Sequence, residues 1–106
     1  MNNRLQSTIS LCRRAGKLLL GFDQVKEAVE AGQVKAVFVS TDLSDKSKKE
    51  VSFFCSKHNV PAARLPLSKD EIKEAVSKGS GILGVTEDGF AKTLLQQGEA
   101  LPVRED

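Results

Sequence analysis

Val34-Lys35-Ala36-Val37-Phe38-Val39-Ser40 holds four consecutive apolar residues with no polar residue between them. An alternating strand buries one face and wets the other. This one must bury both, which implies a sheet of parallel character covered by helices on its two sides. The flanking segments supply such covers. Before the strand, Val25, Ala28 and Val29 recur at helical spacing between Asp23 and the stop at Gly32. After it, Ser44 is placed as a helix cap, with Val51, Phe54, Cys55 and His58 on one face and Asn59 as the close.

Further out the alternation continues. Leu5, Thr8, Ile9, Leu11, Cys12 and Ala15 fall on one helical stripe that Gly16 ends, and Lys17 to Leu20 reads as a short strand. Pro61 opens another short strand through Leu65. Ser68 and Glu71 then spell a capping box, with Leu67 and Ile72 as its hydrophobic staple, for a helix to about Val76. Residues 77–80 read as a loop, 81–85 as a buried strand and 87–97 as a last helix. The expected fold class is α/β, a three-layer α/β/α sandwich around a mixed, roughly four-stranded sheet. One domain over 1–97 and a flexible tail over 98–106, where Pro102 stands among few apolar residues, complete the expected organisation.

Composition narrows the function. The 106 residues are 40% hydrophobic and 28% charged, an ordinary soluble balance. No apolar run approaches the ~20 residues of a membrane span, and no signal peptide is visible, so a cytoplasmic protein without a membrane partner is expected. Cys12 and Cys55 lack the spacing of a zinc site or redox pair and read as buried free thiols. With one histidine, His58, and no nucleophile beside a base, neither metal, cofactor, small-molecule substrate nor catalysis is expected. The net charge is only +2, but residues 1–22 hold Arg4, Arg13, Arg14 and Lys17 and no acid. Such a patch suits phosphate, and it also suits an ordinary solvated helix face.

Two glycine motifs need weighing. Gly79-Ser80-Gly81-Ile82-Leu83-Gly84 spells GxGxxG, yet its glycines run into a strand rather than opening a helix, so no dinucleotide site follows. Gly84 is better explained as a point of close helix approach. Gly16-Lys17-Leu18-Leu19-Leu20-Gly21 lacks the ending of a phosphate loop. Gly21, however, stands where a strand enters a helix, and the first N–H groups of that helix form a natural anion site. Phe22, Asp23 and Gln24 share its first turn, and Lys78-Gly79-Ser80 is placed to close the other side.

Gly21-Phe22-Asp23-Gln24-Val25-Lys26-Glu27-Ala28-Val29-Glu30-Ala31-Gly32, followed by the 34–39 strand and Thr41-Asp42, resembles the kink-turn RNA-binding ribosomal proteins, the archaeal L-seven-Ae group and its relatives. Leu11-Cys12-Arg13-Arg14-Ala15-Gly16-Lys17 and Gly84-Val85-Thr86-Glu87-Asp88-Gly89-Phe90-Ala91 are similar to its bacterial, YlxQ-like branch. The likeness spans about residues 3–97.

The resemblance implies a non-catalytic, ribosome-associated protein that recognises a kink-turn or similarly distorted RNA. In it the glycine loop and helix start enter a widened groove, and the loop before the last strand covers extruded bases. On this chain Gly21 matches the family glycine and Gln24 the Glu-or-Gln position, whereas Asp23 falls where Asn is usual and Glu27 where Lys is usual. Gly21, Asp23 and Gln24 are the expected contacts at base edges, and Phe22, Glu27, Gly79 and Ser80 are further expected RNA-binding residues. Arg13, Arg14, Lys17, Lys26 and Lys78 are expected at phosphates. Structured RNA is the expected partner, with ribosomal or translation proteins as further ones. The alternative is a protein-interaction module of the translation apparatus with weakened RNA binding, which Asp23 and Glu27 favour.

Overall fold

The computed structural model describes residues 3–101. In chain order the elements are α1 (Asn3–Arg14), β1 (Leu18–Leu20), α2 (Phe22–Glu30), β2 (Ala36–Val39), α3 (Asp45–Lys57), β3 (Ala62–Arg64), α4 (Lys69–Val76), β4 (Ile82–Val85), α5 (Asp88–Gln97) and β5 (Glu99–Ala100). The sheet order is β1-β4-β2-β3-β5. β2 is buried at all four positions, as its apolar run requires. Alternate side chains enter opposite layers: Ala36 and Phe38 join Leu5, Ile9, Cys12, Ile72, Ala91 and Leu94 from α1, α4 and α5. Val37 and Val39 join Val25, Val29, Val51 and Phe54 from α2 and α3. The α/β/α sandwich is therefore two apolar clusters separated by one sheet.

Three expectations change. The sheet has five strands, because residues 99–100 pair antiparallel with β3 in the register Ala63↔Ala100 and Arg64↔Glu99. The Arg64–Glu99 ion pair at 2.6 Å ties that pairing together, and Leu101 N–H donates to the Ala62 carbonyl at 2.9 Å. Backbone bonds order this part of the expected tail despite its polar composition; positions 102–106 lie outside the described residues. Second, the parallel character inferred from two-sided burial holds on one side only: β2 runs parallel to β3 but antiparallel to β4, so the sheet is mixed, as expected. Third, Leu11 is 51% exposed. It sits about 100° around the helix from Cys12, outside the narrower Leu5-Ile9-Cys12 stripe.

β4 is the strand on which the geometry turns. It lies between β1 and β2, antiparallel to both, with Leu83 opposite both Leu20 and Phe38. Gly84 permits α2 to pack against it, since a Cβ there would lie 3.3 Å from both Val25 methyls. That bears out the reading of Gly84 as a close-approach glycine. Cys12 and Cys55 are buried free thiols, pushed up by desolvation to about 11 and about 12 respectively, with Glu87 adding to the rise at Cys12. Both should resist thiol reagents until unfolding exposes them. A dithionitrobenzoate time course on folded protein is expected to release almost no chromophore, and two equivalents in denaturant.

The capping box is present in full. Ser68 Oγ accepts from Glu71 N–H at 3.1 Å and Glu71 Oε1 accepts from Ser68 N–H at 2.9 Å. Leu67 and Ile72 are both fully buried in the same cluster. Ser68→Ala should lower stability by about 0.5–2 kcal/mol. Urea unfolding followed by circular dichroism checks this, the midpoint falling with an unchanged slope.

Candidate nucleic-acid interface

Because β4 is antiparallel to β1 and β2, the loop that feeds it meets their carboxyl ends. Gly21 N–H donates to the Ile82 carbonyl at 3.3 Å, and Ser40 N–H donates to the Gly81 carbonyl at 3.0 Å. The start of α2 and the 77–81 loop thus stand side by side at one end of the sheet. This is where open α/β sheets carry ligands.

The helix N-termini at this protein's surface are not alike. Ser44 caps α3, Ser68 caps α4 and Glu87 caps α5, each accepting from a backbone N–H of the first turn. At α4 the Asp42 carboxylate adds a further acceptor, 3.1 Å from Lys69 N. α2 alone among these four has no side-chain cap, because its N-cap is Gly21. Gly21 adopts φ 105 and ψ 144, a region closed to residues with a Cβ, and space within 4 Å of its missing Cβ is empty. The first N–H groups of α2 therefore carry the positive end of the helix dipole towards open space.

Asp23 and Gln24 are exposed on this first turn, and Glu27 is exposed one turn further along. Phe22 does something else. Its ring packs edge-on against Phe54 at 5.7 Å and 83°, anchoring the helix start to α3. On the neighbouring 77–81 loop, Lys78 and Gly79 are exposed. Ser80 spends its hydroxyl locally, donating to the Ile82 carbonyl at 2.8 Å and accepting from Ile82 N–H at 3.2 Å. It shapes the loop base. Gly81 is held from behind, since a Cβ there would lie 2.8 Å from Leu43 Cδ1. Beneath it the Ser40 hydroxyl is buried without a partner of full hydrogen-bond geometry. It still lies close enough to Asp42 to be the largest influence holding that carboxyl below its ordinary 3.8; the Lys69 amide also lowers it, against desolvation.

The N-terminal cations are elsewhere. Lys17 is at the start of β1, where Thr86 N–H donates to its carbonyl at 3.0 Å and Lys35 N–H donates to Val85 at 2.7 Å. Arg13 and Arg14 end α1 at the same place. Lys17 is four residues of extended chain from Gly21, about 13 Å at ~3.3 Å each, and with Arg13 and Arg14 at the end of α1 forms a separate patch at the opposite end of the sheet. Lys26 faces away as well: two residues from Gln24, it is about 200° around the helix and lines the groove between α2 and α3. Sequence reasoning also missed Phe53 of α3, which is 46% exposed in that groove. The one available signal was its place outside the Val51-Phe54-Cys55 stripe.

A sandwich in which an uncapped helix start and a glycine-hinged loop share one sheet end defines a class, and the sequence places the chain in it. Residues 3–95 match the ribosomal protein L7Ae/L30e/S12e/Gadd45 family, and the chain belongs to that family. It is similar to the RNA-binding protein YlxQ of Enterococcus faecium, 34% identical over 89 residues that cover 84% of this chain and 85% of that protein. It is also similar to the large ribosomal subunit protein eL30 of Tetrahymena thermophila, 28% identical over 76 residues covering 72% and 73%. A solved structure of a Bacillus halodurans protein of unknown function superposes with a TM-score of 0.82 at 29% identity, covering 89% of this chain and 95% of that one.

Among the described residues no group of three His, Cys, Asp or Glu is arranged to hold a metal ion, and no helix is long and apolar enough to cross a membrane. At the basic end, Glu87 caps α5 and accepts from Phe90 N–H at 2.8 Å. Its carboxyl is lowered from 4.5 by the Phe90 amide, then the Gly89 amide, with Lys17 adding a smaller contribution. A carboxyl with a depressed folded pKa stabilises the fold above its unfolded value, and that contribution fades as pH falls through the lower folded value. Glu87→Gln should therefore lower stability at pH 7 and flatten its loss below pH ~4.5, the unfolded-like value. Urea midpoints measured from pH 7 to pH 3 check both.

Proposed function

We propose that the chain is a non-catalytic, ribosome-associated RNA-binding protein of the cytoplasm that recognises a kink-turn or similarly distorted RNA with the end of the sheet formed by α2 and the 77–81 loop. The single observation carrying this is the uncapped N-terminus of α2 at Gly21, set beside a loop with exposed Lys78 and Gly79. Recognition of structured RNA works on unstacked bases and distorted backbone rather than on plain duplex, which suits a site built from a helix start and a loop. Gly21, Asp23 and Gln24 meet base edges, where the Gln24 amide both donates and accepts. Lys78 takes a phosphate, and the Arg13, Arg14 and Lys17 patch reaches only RNA that continues past the opposite end of the sheet. The similarity to an RNA-binding protein and to a ribosomal subunit protein supports the same reading.

A second reading, a protein-interaction module on a translation complex, is favoured by one observation: Asp23 and Glu27 are exposed on consecutive turns beside the site. Both oppose a polyanion, and the effect can be sized. One unit charge at ~5 Å in water-like dielectric is about 0.8 kcal/mol, before screening. Asp23→Asn with Glu27→Lys alters three units, so the double variant should bind a kink-turn RNA about tenfold tighter or more at low salt. Its salt dependence should steepen through the added lysine. Gly21→Val should weaken binding, because valine cannot hold φ 105. Titration of labelled kink-turn RNA and an equally long plain duplex at two salt concentrations decides: a parent without preference for the kink-turn, and a double variant no tighter, hands the function to the protein-interaction reading.

A further inference from the structure

We infer that the groove between α2 and α3 is a second RNA contact, which takes an unstacked nucleotide of single-stranded RNA leaving the Gly21–Gln24 site. The groove has a volume of about 410 Å³, within the ~300–1,000 Å³ of clefts that hold small ligands. Phe53 is its exposed aromatic, at 46%; among the described residues the other large exposed hydrophobic is Leu11, on α1 in the far layer. Lys49 and Lys57 stand four residues before and after Phe53 on α3, one helical turn to each side, and Lys26 faces them from α2. Glu30 and Glu50 also line the groove, so three lysines stand against two glutamates. Among the described residues the one ion pair is Arg64–Glu99, which leaves those lysines free to take other anions.

An aromatic face flanked by cations is the arrangement that stacks a base and neutralises the phosphates on either side of it. The groove is also continuous with the proposed site. Phe22 forms its floor with Phe54 and is the residue immediately after Gly21. α2 and α3 both begin at the sheet end where the 77–81 loop lies, since β1 and β2 both end there. A strand emerging past Gln24 therefore has a short path over the α2 start into the groove. The inference rests on the RNA-binding reading above, and the test separates the two.

The full chain is titrated with a blunt kink-turn RNA, with the same RNA carrying a six-uridine tail on either strand, and with a ten-uridine oligonucleotide alone. A tail on one strand should tighten binding by roughly 5- to 100-fold, the worth of one stacked base. Phe53→Ala should remove that gain and leave blunt affinity unchanged, and Phe53→Tyr should retain it. Lys49→Gln with Lys57→Gln should flatten the salt dependence of the tailed RNA only. Circular dichroism of each variant keeps folding out of the comparison. Tailed and blunt RNAs bound alike, or a tail gain that survives Phe53→Ala, would overturn the inference and leave the groove to a protein partner. Uridine binding that depends on Phe53, with no preference for kink-turn over duplex, would uphold the groove while the kink-turn reading fell.

Discussion

The insertion of β4 between β1 and β2, antiparallel to both, is the constraint on which the rest depends. With Leu83 opposite Leu20 on one side and Phe38 on the other, the amino end of β4 can only lie at the carboxyl ends of its neighbours. A parallel β4 would have carried the 77–81 loop to the far end of the sheet, leaving α2 to face solvent alone. The register also fixes the layers. Gly84 falls beneath Val25 of α2, where a Cβ would press on both Val25 methyls at 3.3 Å, while Leu83 and Val85 fill the opposite cluster.

Around that frame the chain closes most of its own polar ends. Ser44, Ser68 with Glu71, Asp42 and Glu87 satisfy the amides at the starts of α3, α4 and α5. Caps of this kind are worth about 0.5–2 kcal/mol each against alanine, and a glycine N-cap such as Gly21 forgoes a few tenths of a kcal/mol. At α2 the loss is offset by Asp23, an acid in the first turn, through its attraction to the dipole, about 0.3–1 kcal/mol. The same charge repels a polyanion. At the proposed interface, stability and RNA affinity would therefore pull in opposite directions at Asp23, and Glu27 one turn on would add to the repulsion with no dipole to favour it. Phe22 reconciles the open end with a firm fold, because its contact with Phe54 fixes the helix start without using a hydrogen-bond donor.

Much of this was legible in the chain. The unalternated Ala36–Val39 run required burial on both faces, and all four residues are buried. Ser68 and Glu71 announced their capping box because such caps are local, written within four residues. Gly21, Gln24 and the Lys78–Ser80 loop were picked out from motif and resemblance, and their adjacency now has a bond behind it, Gly21 N–H to the Ile82 carbonyl. Arg13, Arg14 and Lys17 are close to Gly21 in sequence, but the extended β1 strand sets them at the other end of the sheet. Helical phase carries Lys26 into the groove between α2 and α3 instead of beside Gln24. The fifth strand escaped because two exposed residues, Glu99 and Ala100, carry no periodicity, and only the free edge of β3 gives them structure.

The sequence by itself determined the elements, the caps, the two-sided burial of β2 and the glycine that leaves α2 open, since each depends on residues within a turn or a strand of one another. Only the tertiary structure decided which strands pair parallel, which loops share a sheet end, and which charges gather there or are carried away. It also set Phe53 between two lysines facing α2 across a groove. These outcomes depend on backbone bonds between residues far apart in sequence, as when Ile82 receives the Gly21 amide. Backbone donors and acceptors are the same for nearly every residue type, so side-chain identity leaves little trace of which of them will meet.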